Sequence, residues 1–392
     1  MRTTFSLFEA FLKCPTQCYL RALGETGSGN EYAEWVRGQD ESYEREAAWR
    51  LHETVPEAER VVSPSADRLK IATWRLAANV VVSAPHRSAD SLVRESLPNE
   101  QTRGLSGPCS EWQLETRLHA VERIPSEGRG KPAQFIPIRF IWRNKLTADD
   151  KLILAFDALV LSEMLGREVP LGKIIHGDDH ATLKVKLGAR TAESARTKAK
   201  PTGLLAETRK RIEKIEMLLA GEPNARSADS HVRESQPDEA TRGLSGPRSG
   251  PAPDLVLNRH CAECEFRDRC RQRAIEADDL SLLAGMSAKE RQKLRSKGIF
   301  TVTQLSYTFR PRRRPRRLRD KREKYHHALK ALAIREKKIH IVGRPELKIE
   351  GTPVYLDVEG LPDRDFYYLI GLRVGHGDSA VQHSLWADTV AD

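Results

Sequence analysis

The stretch Asn258-Arg259-His260-Cys261-Ala262-Glu263-Cys264-Glu265-Phe266-Arg267-Asp268-Arg269-Cys270 gathers three thiols in one short segment, at the spacing C-x2-C-x5-C. Far upstream, Lys13-Cys14-Pro15-Thr16-Gln17-Cys18 supplies a fourth, with Cys14 and Cys18 about one helical turn apart. Four thiolates drawn from opposite ends of a segment can close around a metal and pin the first helix of a domain to its last. Zinc is held well by four thiolates, but its usual sites use paired short spacings within one compact unit. Iron–sulfur clusters also take four thiolates. A cubane is larger than a single ion, so the longer C-x5-C arm and a distant fourth ligand suit it. Spacing by itself puts iron–sulfur only slightly ahead of zinc.

The chain has 392 residues, enough for two or three domains and a sizeable core. Its N-terminus lacks a charged-then-apolar signal, because Glu9 and Lys13 interrupt the apolar text. No apolar run approaches the ~18 residues that a membrane span needs. The expected compartment is therefore the cytosol, where clustered cysteines are metal ligands before they are disulfides. Net charge is +10, and its distribution matters more than its total. Arg310 to Lys324 (RPRRRPRRLRDKREK) holds ten basic and two acidic residues, so the other 377 residues carry only +2. Such density, at Arg310, Arg312, Arg313, Arg314, Arg316 and Arg317 above all, suits the phosphate backbone of DNA or RNA. A solvated linker or helix face is the alternative.

A 22-residue segment occurs twice. Arg87–Pro108 (RSADSLVRESLPNEQTRGLSGP) and Arg226–Pro247 (RSADSHVRESQPDEATRGLSGP) match at 18 of 22 positions, 139 residues apart. Both are polar and without apolar periodicity, so neither can bury enough surface to fold alone. They read as inserted surface loops, because loop-closure entropy grows slowly with length.

Between and around the insertions the pattern is α/β. Ala78–Val82 and Phe135–Ile141 are strand-like, Asp149–Leu165 has helical apolar spacing and stops at Gly166, and Lys173–His176 is a returning strand. Leu204–Leu219 is a second amphipathic helix. Ser287–Ser296 and Thr303–Phe309, joined through Gly298-Ile299, resemble a helix-hairpin-helix element with Thr301 or Thr303 as cap, which offers turn amides to a phosphate. Three strands close the chain: Pro353–Gly360, Phe366–Leu372 and Ala380–Trp386. With no covering helix after them, they are marginal alone and the domain reads as incomplete.

The order of Phe11-Leu12-Lys13-Cys14-Pro15, the helix Asp149–Gly166, the strand Gly172-Lys173-Ile174-Ile175 and Cys261-x2-Cys264-x5-Cys270 resembles RecB-like nucleases with a [4Fe–4S] staple. The whole order resembles a bacterial RecB-like family that ends in a YprB-type ribonuclease H-like exonuclease domain. The resemblance implies an α/β RecB-like core over residues 1–277 with insertions at 87–108 and 226–247. It further implies a helical hairpin over 278–309, a basic helical linker over 310–348 and a truncated ribonuclease H-like domain over 349–392. Cys14, Cys261, Cys264 and Cys270 are then the cluster ligands, with Cys18 the alternative fourth and zinc the alternative metal. The implied activity is metal-dependent cleavage of DNA or RNA.

RecB-like enzymes hold their metal with an Asp on one strand, a Glu-x-Lys on the next and a Gln on the following helix. In this chain the first strand, Glu115–Glu122, has His119 where the Asp falls. Pro137-Ile138-Arg139 falls at Glu-x-Lys, and Ile153 at the Gln. Glu122, Asp157 and His52 are the residues that could rebuild a site, though nothing in their spacing favours it, and each reads as a surface or capping residue. At the C-terminus, Asp357-Val358-Glu359 resembles the first motif of ribonuclease H-like exonucleases. Strand alternation sends both carboxylates to one side, where they can bridge Mg²⁺ or Mn²⁺. The alternative is a non-catalytic iron–sulfur protein that binds nucleic acid.

Overall fold

The computed structural model describes residues 2–71, 73–86, 112–126, 128, 133–188, 203–220, 253–309, 326–339, 350–361 and 366–387. Both copies of the repeated segment and the basic tract at Arg310–Lys324 lie outside them. Two compact units result, Met1–Asp254 and Leu255–Asp392, with the boundary upstream of the cysteine segment. Cys14 and Cys18 therefore belong to the first unit, and Cys261, Cys264 and Cys270 to the second.

The first unit opens with β1 (Arg2–Thr4), α1 (Phe5–Lys13), α2 (Pro15–Ala22), α3 (Glu31–Glu53), β2 (Arg60–Val62) and α4 (Ala66–Lys70). There follow β3 (Leu76–His86), β4 (Trp112–Ile124), β5 (Gln134–Ile141), α5 (Ala148–Leu165), β6 (Leu171–His176), β7 (Ala181–Lys186) and α6 (Leu204–Ala220). The strands form one mixed sheet in the order β2-β3-β4-β5-β6-β7, with β1 added in parallel to β4. β3 and β4 are antiparallel, and their register runs out to His86 opposite Trp112. β3 and β4 are thus antiparallel neighbours, with the first repeated segment between them in the sequence. β5 and β6 are parallel, and α5 makes the crossover between them.

The core lies under α5. Thr147 accepts from the Asp150 amide, and Asp150 reaches back to the Thr147 amide, closing a capping box worth about 1 kcal/mol. The helix stops at Gly166, whose φ of 67° a side chain would strain. Every residue from Leu154 to Leu161 is buried, so α5 is enclosed on all sides. It packs tightly against Gly172 on β6, where a Cβ would stand 2.7 Å from Leu154 Cδ2. From the other side Phe8 of α1 stacks on Phe156, ring centroids 4.5 Å apart. β5 is buried at seven of eight positions, as a strand covered on both faces must be.

In the second unit a 3-10 helix (Arg259–Glu263) leads into α7 (Arg267–Glu276), then α8 (Ala288–Arg295), α9 (Val302–Ser306) and α10 (His327–Glu336). Leu280, Leu283, Val302, Leu305, Ala328 and Ala331 form its small core. The hairpin between α8 and α9 differs from the expectation in one respect. Gly298 and Ile299 donate to Arg295 and Leu294 carbonyls, and the Phe300 and Thr301 amides donate to Gln304 Oε1 at 2.7 and 3.2 Å. The turn amides are spent internally rather than offered to a phosphate. Thr301, not Thr303, is the cap. A separate three-stranded antiparallel sheet, order β10-β9-β8, is built from β8 (Val354–Leu361), β9 (Phe366–Val374) and β10 (Val381–Trp386). Among the described residues no helix is long and apolar enough to cross a membrane.

Candidate functional sites

Of the four positions expected at a metal centre, His119 and Arg139 meet, but in an ion-pair network with residues outside the expected set. β4 carries Thr116 and His119, β5 carries Arg139, α5 carries Asp157 and α3 carries Glu44. Arg139 donates from Nε to Asp157 Oδ2 at 2.8 Å and from Nη2 to Asp157 Oδ1 at 2.6 Å. Thr116 Oγ1 donates to the same Oδ1 at 2.6 Å. The Arg139 guanidinium also lies over the Phe5 ring, 4.2 Å from its centroid. Asp157 is 0% exposed and Arg139 3%.

His119 sits at the rim of this pair. Its Nδ1 accepts from the Phe140 amide at 3.1 Å. Nε2 lies 2.9 Å from Arg139 Nη1 and 3.6 Å from Glu44 Oε2. Burial holds the imidazole well below its usual pKa, and Arg139 and Arg117 add to the effect, so it is neutral. Glu44 is itself paired with Arg117 Nη2 at 2.5 Å. Burial pushes the Asp157 carboxyl up, while Arg139 and Thr116 pull it back.

Two carboxylates facing two guanidiniums leave no net negative charge for a divalent ion. A Mg²⁺ centre needs several oxygens with charge to spare, and these residues do not fit it. Pro137, buried, and Ile153, half-buried, add no polar group. Asp157 is correspondingly not the surface or capping residue expected of it. Glu122 pairs with Lys173 across the sheet. His52 sits eight residues from Glu44, about 12 Å along α3. Glu44 and Thr116 were not foreseen. The signal for Glu44 was Asn30 as a helix cap, followed by Tyr43, Ala47 and Leu51 at intervals of four, which mark the inward face of α3.

The N-terminal cysteines differ sharply in character. Cys14 is the extended joint between α1 and α2, with Pro15 at the first helical position, and is half-buried. Cys18 lies in the main core at 0% exposure. Burial pushes its thiol up to about 12, with Arg21 opposing and Cys14 reinforcing the shift. A neutral core thiol is a poor ligand, so of the two Cys14 has the better chemistry. In the second unit Cys261 lies in the 3-10 helix, Cys264 at its C-cap and Cys270 in α7. The Asn258 amide donates to Cys261 Sγ at 3.3 Å. The donor set is right for a thiolate-bound metal. Among the described residues, however, no three His, Cys, Asp or Glu side chains stand together in a metal-holding group.

Asp357 and Glu359 lie on β8, an edge strand, and are exposed. The register makes two three-by-three grids. On one face the cross-strand rows are Tyr355-Arg373-Gln382, Asp357-Gly371-Ser384 and Glu359-Leu369-Trp386. On the other they are Val354-Val374-Val381, Leu356-Leu372-His383 and Val358-Ile370-Leu385. The two carboxylates share a face, about 7 Å apart along the strand. Gly371 beside Asp357 leaves that face open at its centre. The six arginines at Arg310, Arg312, Arg313, Arg314, Arg316 and Arg317 lie outside the described residues.

No protein-family model matches this chain, and no curated protein matches it. Among solved structures, it is similar to the one named "Crystal structure of SSO0001", at 12% identity and a TM-score of 0.28. The similarity covers 55% of this chain and 76% of that one, and is too slight to argue fold or function from.

Proposed function

We propose that this chain binds DNA or RNA on a RecB-like scaffold, in the cytosol, and that its RecB-like centre serves structure rather than hydrolysis. The observation that carries this reading is the buried Arg139–Asp157 pair, with neutral His119 beside it: His119 stands where the metal-binding Asp is expected and Arg139 where the Lys of Glu-x-Lys is expected. The basic tract at Arg310–Lys324 supplies sequence-independent affinity by counterion release. Cys14, Cys261, Cys264 and Cys270 hold a [4Fe–4S] cluster in this reading, with zinc the other occupant the donor set accepts; the role is structural.

A second reading is favoured by one observation, the common exposed face of Asp357 and Glu359. There the two carboxylates would hold Mg²⁺ or Mn²⁺, an ion that activates water and stabilises the leaving oxygen of a phosphodiester. One experiment separates the readings. The protein is purified anaerobically, its visible spectrum recorded, and end-labelled single-stranded DNA and RNA are offered with Mn²⁺. Retention without product, weakening steeply with salt, is the expected result. Cleavage lost in Asp357→Ala would move the function to the second reading. Cleavage that survives Asp357→Ala but not Asp157→Asn would overturn the first reading at its root. A colourless, zinc-containing protein would remove the cluster.

A further inference from the structure

The outer side of α8 is sorted by charge in a way that folding does not require. Lys289, Gln292, Lys293, Ser296 and Lys297 share one side of the coil and are all exposed. Lys297 continues the coil past α8, its amide donating to the Leu294 carbonyl at 2.9 Å. The opposite side is occupied locally. Glu290 accepts from Ser287 and stands 3.8 Å from His327, Arg295 lies 3.7 Å from Asp279, and Leu294 packs on the small core. Among the described residues none of the three lysine ammonium groups has a carboxylate partner. Lysines near a helix C-terminus suit its dipole, but Lys289 stands in the first turn, where a cation is unfavourable. Helix stability therefore does not account for the row. Just beyond it, at the tip of the hairpin, Ile299 packs on the core while Phe300 stays out at 47% exposure.

We propose that this face and tip hold a single strand of nucleic acid, the lysines on its phosphates and the Phe300 ring on a base. The inference rests on the nucleic-acid reading above and adds a contact on the folded hairpin, distinct in sequence from the basic tract. Charge selects the occupant, because three cations in a row with no anion among them complement a polyanion. Successive lysines are about 6 Å apart along the axis, so the row spans about 12 Å, three or four nucleotides of one strand. An unpaired base offers the ring face that a duplex hides in its stack, and aromatic contact of this kind is indifferent to sequence. The turn amides are spent on Leu294, Arg295 and Gln304, so side chains make the contact.

The test is the salt dependence with which the full chain binds a short fluorescent oligothymidylate, its oligouridylate counterpart and a mixed-sequence duplex. Lys289→Gln/Lys293→Gln/Lys297→Gln keeps helix propensity. It should lower the slope of log affinity against log salt by about 2, at about 0.7 per contact on a single strand. Variant and parent should then agree near 1 M salt and differ by about 50-fold at about 0.15 M. Phe300→Ala should weaken single-strand binding about tenfold at unchanged slope and leave the duplex unaffected, and Phe300→Trp should restore it. A parent chain that retains neither single strand overturns the nucleic-acid reading and this inference together. A parent that binds while the lysine variant, folded by circular dichroism, keeps its slope and affinity overturns this inference alone. So does a Phe300→Ala effect equal on duplex and single strand, or competition by polyglutamate as strong as by the oligonucleotide.

Discussion

Replacing Asp157 by Asn tests the reading of the buried centre most directly. The carboxylate is 0% exposed, accepts two guanidinium bonds from Arg139 at 2.8 and 2.6 Å and a third from Thr116 at 2.6 Å. Asn keeps the shape and one acceptor oxygen, but it removes the negative charge paired with a guanidinium at 3% exposure. Leaving one partner of such a pair alone costs about 3–5 kcal/mol, a large share of the 5–15 kcal/mol that holds a typical domain. With a urea slope of about 2 kcal/mol per molar, the midpoint should fall by about 1.5–2.5 M, read by circular dichroism. The double variant Arg139→Met/Asp157→Leu removes both charges and should return to within about 1 kcal/mol of the parent. If Asp157→Asn costs less than about 1 kcal/mol, the pair is not what fixes α5 to β5. If it stabilises the fold while abolishing cleavage, Asp157 is a functional carboxylate that trades stability for activity.

Three further outcomes are expected. Deleting Arg87–Pro108 leaves Cys109-Ser110-Glu111 between His86 and Trp112, a three-residue hairpin loop. Shortening that loop from 25 residues to three should raise stability by about 2 kcal/mol, and a loss of stability in the same urea titration would refute the insertion reading. Glu216 should make the first unit pH-sensitive. Burial, reinforced by Glu213, pushes its carboxyl from 4.5 to about 7, while its neighbour His86, 3.6 Å away, is held neutral by its own burial. The unfolded chain releases this proton first, so stability should fall by about 2 kcal/mol as pH rises from 4.5 to 7. Glu216→Gln should flatten the profile, and an unchanged profile would exclude the residue. Finally, once any bound metal has been stripped, iodoacetamide should label Cys14 in the folded protein and leave Cys18 untouched until unfolding; equal rates by mass spectrometry would contradict the burial of Cys18.

The legible parts of the fold were those with strong local punctuation. α5 announced itself through helical apolar spacing and the stop at Gly166, and the three C-terminal strands through short apolar runs; the Thr147–Asp150 capping box at the start of α5 was not read from the sequence. α3 did not, because only Tyr43 and Ala47 are buried along its 23 residues and Gly38 interrupts it. The burial of Asp157 was hidden for a different reason. A periodic pattern marks which side of a helix is apolar, but α5 is enclosed all round, so its one internal carboxylate sat among apolar residues with no polar face to contrast with. The partner that makes it tolerable, Arg139, lies 18 residues away on a neighbouring strand, and only the sheet register brings them together. The same holds for the apolar grid, whose rows come from three strands that each look unremarkable singly.

The open mouth of the β3–β4 hairpin has a practical consequence. His86 and Trp112 end a paired ladder, so the backbone enters and leaves the domain there at strand spacing, about 5 Å. Any folded cargo whose own termini lie close together can be grafted between them without strain on either partner. A fluorescent protein or an affinity tag placed at this port, in exchange for Arg87–Pro108, would report on the chain in a cell while leaving both of its ends unaltered.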